Sequence, residues 1–362
     1  MKKNILILAV PAVMLALHGT LVYADKINPE VGDGVYDGYN LTSKMIDELY
    51  TCGNEICWDY LKDENKVYYL KSFDIIRSDI LYGKIKVPDR INNKTIEYIR
   101  GSCYLQEFDL NPENPYMKCV DNVIFSKDGT KLMSYARYDE RTEYIIPQTT
   151  ETIGAAAFFD CNNLKSVVIP DSVNNIGNGA FSCSYNIEVY DFSDNVTVIP
   201  ANAFSSNRKL KMFIIKKESK LKEIKSEAFD GCPMLSELYL PSFDIKIDKW
   251  AFGHGTMPKT KLKSYVQTKV TADENTLNWK EVQNTSYYEI YQKLNSGEYK
   301  LLGKTKKTSY EFKALKNGMN YTFAVKPLAV IPAANYDKDN DKYYPETFTI
   351  EGTMSEDIVI SV

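Results

Sequence analysis

Few residues in this 362-residue chain are of a type and spacing that could do covalent chemistry. Of the two histidines, His18 falls within a predicted signal sequence, so a Ser-His-Asp or Cys-His nucleophile of the mature chain requires His254. Cys232 is the cysteine considered as the nucleophile that would pair with His254, but no nucleophile motif surrounds either residue. The sequence offers too few ligands for a usual zinc site, because it has no C-x₂-C pair and a single histidine does not complete the usual ligand sets. We therefore expect no catalytic residues and no cofactor.

Carboxylates are the remaining chemical groups of interest, as ligands of a hard cation. Asp337, Asp339 and Asp341 alternate within the segment AANYDKDNDKYYPET (333–347) and are weak candidates for calcium ligands. A solvated acidic loop explains the same pattern, and we favour it over a metal site.

A second acidic segment, VGDGVYDGYNL (31–41), resembles half of a dockerin repeat, in which a calcium loop of EF-hand type precedes a helix. Pro29 and Val31 occupy two positions where such a loop needs oxygen ligands, so we favour a chance match. The next residues, TSKMIDELY (42–50), predict a short amphipathic helix.

Composition and the N-terminus indicate an exported protein. A net charge of −4 and a pI near 5.5 argue against nucleic acid as a partner. Residues 1–24 have two lysines, an apolar run and the ending Val-Tyr-Ala, as a secretory signal does, and no later stretch reaches the roughly 20 apolar residues of a membrane span. The seven cysteines leave the disulfide pairing open, with Cys52–Cys57 and Cys103–Cys119 the pairs nearest in sequence.

A phrase of Ile, four residues and Phe recurs five times between residues 153 and 252. The aromatic positions, separated by 23, 23, 25 and 23 residues, are Phe158, Phe181, Phe204, Phe229 and Phe252. Ala precedes each Phe, and Leu or Ile lies six residues after the first four. A period this short predicts a solenoid, because one coil cannot bury its apolar side alone and must stack on its neighbours.

Each complete repeat ends in an extended segment: KSVVIP, EVYDFS, KMFIIK and SELYLP. Alternation with period two predicts one inward set and one outward set of side chains. The inward set is Val167, Ile169, Tyr190, Phe192, Phe213, Ile215, Leu238 and Leu240. The outward set begins with Ser166 and continues with the residues we expect to bind a ligand: Val168, Val189, Asp191, Met212, Ile214, Glu237 and Tyr239. An apolar, aromatic row facing water marks a contact site, unless another part of the chain covers it.

The string YIIPQTTETIGAAAFFDCNNLKSVVIPDSVNNIGNGAF resembles the BspA-type leucine-rich repeat. Cys161 and Cys232 stand at the cysteine position of that family, where we interpret the thiol as a small buried apolar group. The resemblance implies a bacterial surface protein used in adhesion to host or neighbouring cells. It covers residues 84–255, including NPYMKCVDNVIFSKDGTKLMSYA (114–136), which resembles a hairpin-bearing variant with its turn at Lys127-Asp128-Gly129.

After residue 258 the pattern changes to short alternating strands separated by turn signals, which predicts a β-sandwich. This part resembles a fibronectin type III module, on the strength of Trp279, the strand YYEIYQ (287–292) and the Leu315–Tyr321 spacing of a tyrosine corner. The resemblance implies a spacer or binding unit, in which the Tyr321 hydroxyl bonds to nearby backbone.

The sequence thus predicts a mainly β protein, a BspA-type solenoid followed by an immunoglobulin-like (fibronectin type III) sandwich. The expected domains are a signal peptide (1–24), an N-terminal cap or non-repeat region (25–80), the solenoid (81–258) and the sandwich (259–362). We expect a secreted or cell-surface, non-catalytic protein that binds a protein or glycan ligand and does not insert in a membrane after signal cleavage. The alternative is an accessory module of an extracellular, carbohydrate-directed complex, docked through residues 25–60.

Overall fold

The computed structural model describes residues 107–253, 260–337 and 342–362, together with nine short strands between residues 34 and 100. Side chains are described from residue 107 onward, except in 254–259 and 333–346. Every helix or strand assigned in these residues is a β-strand, which confirms the predicted mainly β class. The described residues contain no helix long and apolar enough to cross a membrane.

The strands before residue 107 are β1 (Gly34–Tyr36), β2 (Tyr39–Leu41), β3 (Ile46–Cys52), β4 (Ile56–Lys62), β5 (Tyr68–Ser72), β6 (Lys84–Lys86), β7 (Arg90–Ile91), β8 (Lys94–Thr95) and β9 (Tyr98–Arg100). Strands β3, β4, β5 and β9 form one sheet. The helix predicted over 42–50 is therefore wrong, because β3 pairs with β4 and sheet pairing overrides a helical pattern resting on few residues. Strands β1 and β2 pair antiparallel within 31–41, so that segment does not lead from a calcium loop into a helix.

A hairpin-bearing coil opens the part of the solenoid whose side chains are described. Its strands are β10 (Glu107–Asp109), β11 (Met117–Val120), β12 (Val123–Ser126) and β13 (Lys131–Tyr135). Strands β12 and β13 are antiparallel around the predicted turn, where Gly129 has φ +85° and Asp128 accepts hydrogen bonds from Ser126 and Thr130. These bonds lower the pKa of Asp128 to about 2.

Each following coil contributes one strand to the front side of the solenoid and a two-residue strand to the opposite side. The front strands are β14 (Glu143–Ile145), β16 (Ser166–Val168), β18 (Val189–Asp191), β20 (Met212–Ile214), β22 (Glu237–Leu240) and β24 (Lys261–Ser264). The opposite strands are β15 (Thr152–Ile153), β17 (Asn175–Ile176), β19 (Val198–Ile199), β21 (Glu223–Ile224) and β23 (Lys246–Ile247). Strands β14, β16, β18 and β20 form one parallel sheet, the front sheet, as successive turns of one coil require. Strand β22 pairs in parallel with β24 in a separate sheet that follows the front sheet along the coil.

The five repeated phenylalanines stack along the axis of the coil. Their ring centroids lie 4.8, 5.2, 5.6 and 5.7 Å apart in chain order, at interplanar angles of 13°, 5°, 13° and 17°. Every one of them is between 0 and 6% exposed. The inward residues of the front strands, all buried, close over this stack. The repeat therefore fills a closed interior, as the sequence predicts.

The third residue after Phe181, Phe204 and Phe229 serves hydrogen bonding as well as packing. Its side chain bonds to the carbonyl oxygen of the Phe in the preceding coil: Ser184 to Phe158 (2.8 Å), Asn207 to Phe181 (2.9 Å) and Cys232 to Phe204 (3.2 Å). The interpretation of this cysteine position as a purely apolar one is therefore incomplete. Ser, Asn and Cys interchange here because each is small and donates one hydrogen bond across the stack.

The C-terminal strands are β25 (Val270–Asp273), β26 (Thr276–Trp279), β27 (Tyr287–Lys293), β28 (Tyr299–Thr305), β29 (Ser309–Glu311), β30 (Asn320–Asp337), β31 (Lys342–Glu351) and β32 (Ile358–Ser361). A sheet in the order β25-β26-β29 faces a sheet in the order β28-β27-β30-β32, with Trp279 in the core between them. The Tyr321 hydroxyl accepts a hydrogen bond from the Lys316 backbone N–H at 3.2 Å, which confirms the predicted tyrosine corner. This is the predicted immunoglobulin-like sandwich.

Strand β31, part of the predicted insertion, joins the two halves of the protein. It pairs antiparallel with β30 and parallel with β24, so that β22 and β24, the last front strands of the solenoid, belong to the same sheet as β30, β27 and β28 of the sandwich. Phe348 of β31 packs against Phe252, the last ring of the stack, at a centroid distance of 5.3 Å. The sandwich therefore covers the end of the coil, where an open apolar edge would otherwise meet water.

Candidate binding face

The outward side of the front sheet forms two rows of side chains, which we call the front face. The first row runs Glu143, Ser166, Val189 and Met212, and the second runs Ile145, Val168, Asp191 and Ile214. Glu237 and Tyr239 of β22 follow at the same repeat positions. The middle residue of β14, β16, β18 and β20 is buried, and the residues on either side of it reach solvent. The structure thus places all seven predicted site residues outward on one surface.

Four large apolar side chains on the front face are exposed. Their exposed fractions are 69% for Ile145, 54% for Met212, and 37% for both Ile214 and Tyr239. Ile145 was missed at the sequence level, although the phrase YIIP before the first complete repeat has the same alternation as VVIP. From β14 to β22 the face spans four strand spacings, about 19 Å.

The front face becomes aromatic and ionic at its C-terminal end. Lys263 of β24 donates a hydrogen bond to Glu237 at 2.6 Å, and its Nζ lies 3.5 Å from the Tyr239 hydroxyl. The hydrogen bond from Lys263 lowers the pKa of Glu237 below its usual value. Tyr265 packs against Tyr239, with ring centroids 5.5 Å apart, and donates its hydroxyl hydrogen to the Ile215 carbonyl at 2.9 Å.

An ionic network continues the same side of the sheet onto the sandwich. Lys326 Nζ lies 3.1 Å from Glu351 and 3.4 Å from Glu289, and Lys304 Nζ lies 2.9 Å from Glu289. Burial alone would raise the pKa of Glu289, but hydrogen bonds from Tyr291 and Lys304 and the nearby ammonium groups hold it below its usual value. Glu351 is next to Lys263 in the β24–β31 register, so the network adjoins the Tyr239 end of the front face.

Comparison with known families identifies the type of repeat that forms the coil. Residues 130–257 match the model of the BspA type leucine rich repeat region, in six copies. This chain carries a BspA-type leucine-rich repeat region. Residues 258–347, after the repeat region, match the model of the C-terminal domain of GH85 endohexosaminidases, where the sequence analysis expected a fibronectin type III-like module. Neither match is to a catalytic domain.

Several solved structures are similar to parts of the chain. A leucine rich cell surface protein from Faecalibacterium prausnitzii is 28% identical, over 45% of this chain and 42% of its own, with a TM-score of 0.39. A leucine-rich repeat protein from Eubacterium ventriosum is 20% identical, over 49% of this chain and 58% of its own, with a TM-score of 0.34. The pneumococcal vaccine antigen PcpA is 13% identical, over 61% of this chain and 94% of its own, with a TM-score of 0.36. No protein of curated function matches the sequence.

The residues considered for catalysis and metal binding do not form a site in the part of the chain that the structure describes. Burial in the repeat region raises the pKa of the Cys232 thiol to about 12, so the thiol stays protonated at neutral pH and is a poor nucleophile. No group of three or more His, Cys, Asp or Glu among the described residues is placed to hold a metal ion. His254, Asp339 and Asp341 lie outside the described residues, and so does the side chain of Asp337.

Ion pairs follow the two rims of the front face. Lys211 Nζ lies 2.7 Å from Glu188 on one rim, and Lys216 Nζ lies 3.4 Å from Asp194 on the other. The hydrogen bond from Lys211 lowers the pKa of Glu188. An apolar centre with a polar, charge-compensated rim is the usual anatomy of a recognition surface.

Proposed function

We propose that this chain is a secreted or cell-surface, non-catalytic binding protein whose front face recognises a protein or glycan on a host or neighbouring cell. The observation that carries the proposal is the exposure of Ile145, Met212, Ile214 and Tyr239 at equivalent outward positions of successive coils. The closed aromatic interior behind them fixes the sheet, so recognition does not require the face to order on binding. The BspA-type repeat region, whose relatives include a cell surface protein, supports the same function.

The proposal is tested by probing an array of glycans and host-matrix proteins with residues 25–362. Met212, Ile214 and Tyr239 are replaced by serine together, and the expected result is a loss of affinity of at least about a hundredfold, since each buried apolar side chain contributes about 1 kcal/mol or more. The matched control replaces three exposed apolar residues outside the front face: Val120, Met234 and Met319. Circular dichroism and thermal unfolding establish that both variants are folded. Unchanged binding by the first variant refutes the assignment of the face.

The second candidate function is an accessory module of a carbohydrate-directed extracellular complex, docked through residues 25–60. The match of residues 258–347 to a domain of endohexosaminidases favours it. Deleting 25–60 removes β3 and β4 from their sheet, so the variant must first be shown to be folded. Loss of complex membership with intact ligand binding would favour this function over adhesion by the front face.

A further inference from the structure

We propose that the Tyr239 end of the front face is a subsite for a neutral saccharide, built at the seam between the repeat region and the sandwich. This inference rests on the proposed function and narrows its ligand class at one end of the face. The subsite consists of Tyr239 as a stacking platform and the Glu237–Lys263 pair as the hydrogen-bonding group beside it.

The platform is held in place before a ligand arrives. Tyr239 is fixed on one side by Lys263, whose Nζ lies 5.5 Å from the ring centroid, and on another by Tyr265. Tyr265 is itself fixed by its hydrogen bond to the carbonyl of Ile215. Although its neighbours hold it, Tyr239 is 37% exposed. A ring that is ordered and accessible binds without the entropy loss of immobilising a free side chain.

The chemistry beside the ring matches the two faces of a sugar. The face of an aromatic ring is negative, so it attracts the polarised C–H groups on the apolar face of a pyranose. A carboxylate offers about four acceptor sites and an ammonium three donors, so the single hydrogen bond between Glu237 and Lys263 leaves capacity for hydroxyl groups at both. Both side chains reach solvent, at 40% and 28% exposure. Hydroxyls donate and accept, so they satisfy such a pair better than a purely anionic or cationic ligand does.

Charge balance argues for a neutral ligand rather than a charged one. Three glutamates and three lysines compensate one another along this side of the sheet: Glu237, Glu289, Glu351, Lys263, Lys304 and Lys326. Lys261, beside Glu237 in the β22–β24 register, and Asp191 of the front face add one charge of each sign. A surface whose charges cancel exerts little long-range attraction on a polyanion or a polycation. Tyr239 is the aromatic side chain among the front-face residues named above, whereas Ile145, Met212 and Ile214 are aliphatic, which restricts the stacking platform to the Tyr239 end.

The position at the seam gives both domains a part in the subsite. Lys263 lies on β24, between β22 of the repeat region and β31 of the sandwich, and its register neighbour on β31 is Glu351. Junctions between domains are preferred places for ligand sites. The lysine that holds Tyr239 is therefore itself held in a sheet that the sandwich completes.

The test is isothermal titration of residues 25–362 with N-acetylchitotetraose, with cellotetraose and with a heparin tetrasaccharide as the anionic comparison. We expect at least one neutral tetrasaccharide to bind and the heparin fragment not to bind. Tyr239→Ala should weaken binding about tenfold or more, Tyr239→Phe should stay within about threefold, and Ile145→Ser, at the far end of the face, should leave affinity unchanged. Tyr239→Leu, which keeps apolar bulk against Tyr265, should lose binding as Tyr239→Ala does, and it replaces that variant if alanine impairs folding.

The inference is overturned if neither neutral tetrasaccharide binds, or if Tyr239→Ala and Tyr239→Leu bind as the unmodified protein does. It is also overturned if Tyr239→Ala abolishes binding of a protein on the array while no saccharide binds, because the Tyr239 end is then a protein contact. In that case the proposed function stands. The proposed function fails separately, if the triple serine variant keeps its binding on the array.

Discussion

Replacing Phe204 by alanine tests whether the aromatic stack holds the repeat region together. Phe204 is fully buried at the centre of the stack, between Phe181 at 5.2 Å and Phe229 at 5.6 Å. Tyr190 and Phe213 of the front strands contact it edge-on at 4.8 and 4.7 Å. Phe192 makes a further edge-on contact at 6.2 Å. One substitution therefore removes five ring contacts and leaves a cavity walled by aromatic groups.

The magnitude follows from these contacts. A buried Phe→Ala change costs about 3–5 kcal/mol of unfolding free energy, and each aromatic pair contributes about 0.5–1.5 kcal/mol beyond its buried area. With five rings around Phe204, we expect the upper part of that range, about 4–5 kcal/mol. For a cooperative unit of 150–250 residues, the melting temperature should fall by roughly 10–15 °C.

The assay is urea unfolding followed by far-ultraviolet circular dichroism, with thermal unfolding as a second measurement. Met212→Ala is the matched control from the same repeat, because its side chain faces water and its loss should change stability by about 0.5 kcal/mol or less. Phe204→Leu should recover part of the loss, since leucine fills much of the cavity but makes no ring contacts. A loss below about 2 kcal/mol for Phe204→Ala would show that the stack does not carry the stability assigned to it.

Two further predictions concern polar groups. Asn207→Leu should destabilise the protein by about 3 kcal/mol or more, because it removes the partner of the Tyr190 hydroxyl and of three backbone carbonyls. Asn207→Cys should cost clearly less, since its thiol replaces one donor; equal losses in urea unfolding would contradict this. The pKa of Asp128 is lowered in the fold to about 2, so its stabilising effect is complete above its unfolded pKa near 4 and is lost as the pH falls towards 2. Asp128→Asn should therefore flatten the dependence of the urea midpoint on pH between about 4 and 2, and parallel curves for the two proteins would count against the turn geometry.

The repeat region could be read from the sequence because its signals are local. The spacing of Phe158, Phe181, Phe204, Phe229 and Phe252 predicts the coil, and period-two alternation separates buried Phe213 from exposed Met212 and Ile214 without any knowledge of tertiary structure. Ile145 is absent from the predicted outward set because it precedes the first complete repeat.

Features that depend on contacts between distant residues could not be predicted. The hydrogen bond from Cys232 to Phe204 crosses from one coil to the next, and nothing in the pattern around Cys232 distinguishes a donor from an apolar filler. The sequence indicates only that the segment 333–347 is a long insertion. The pairing of β31 with β24 could not be predicted, because it joins residues more than 80 positions apart. The Tyr239–Lys263–Tyr265 arrangement depends on the pairing of β22 with β24, so its chemistry appears only in three dimensions.

The junction formed by β31 and Phe348 limits where the number of coils can change. With its last coil covered by the sandwich, the array cannot gain a coil at that end without displacing this domain, whereas a coil can be duplicated within the array. Each duplicated unit of about 23 residues would insert one strand and separate Ile145 from Tyr239 by a further 4.8 Å or so. The length of the front face and the chemistry at its Tyr239 end can therefore change independently of each other.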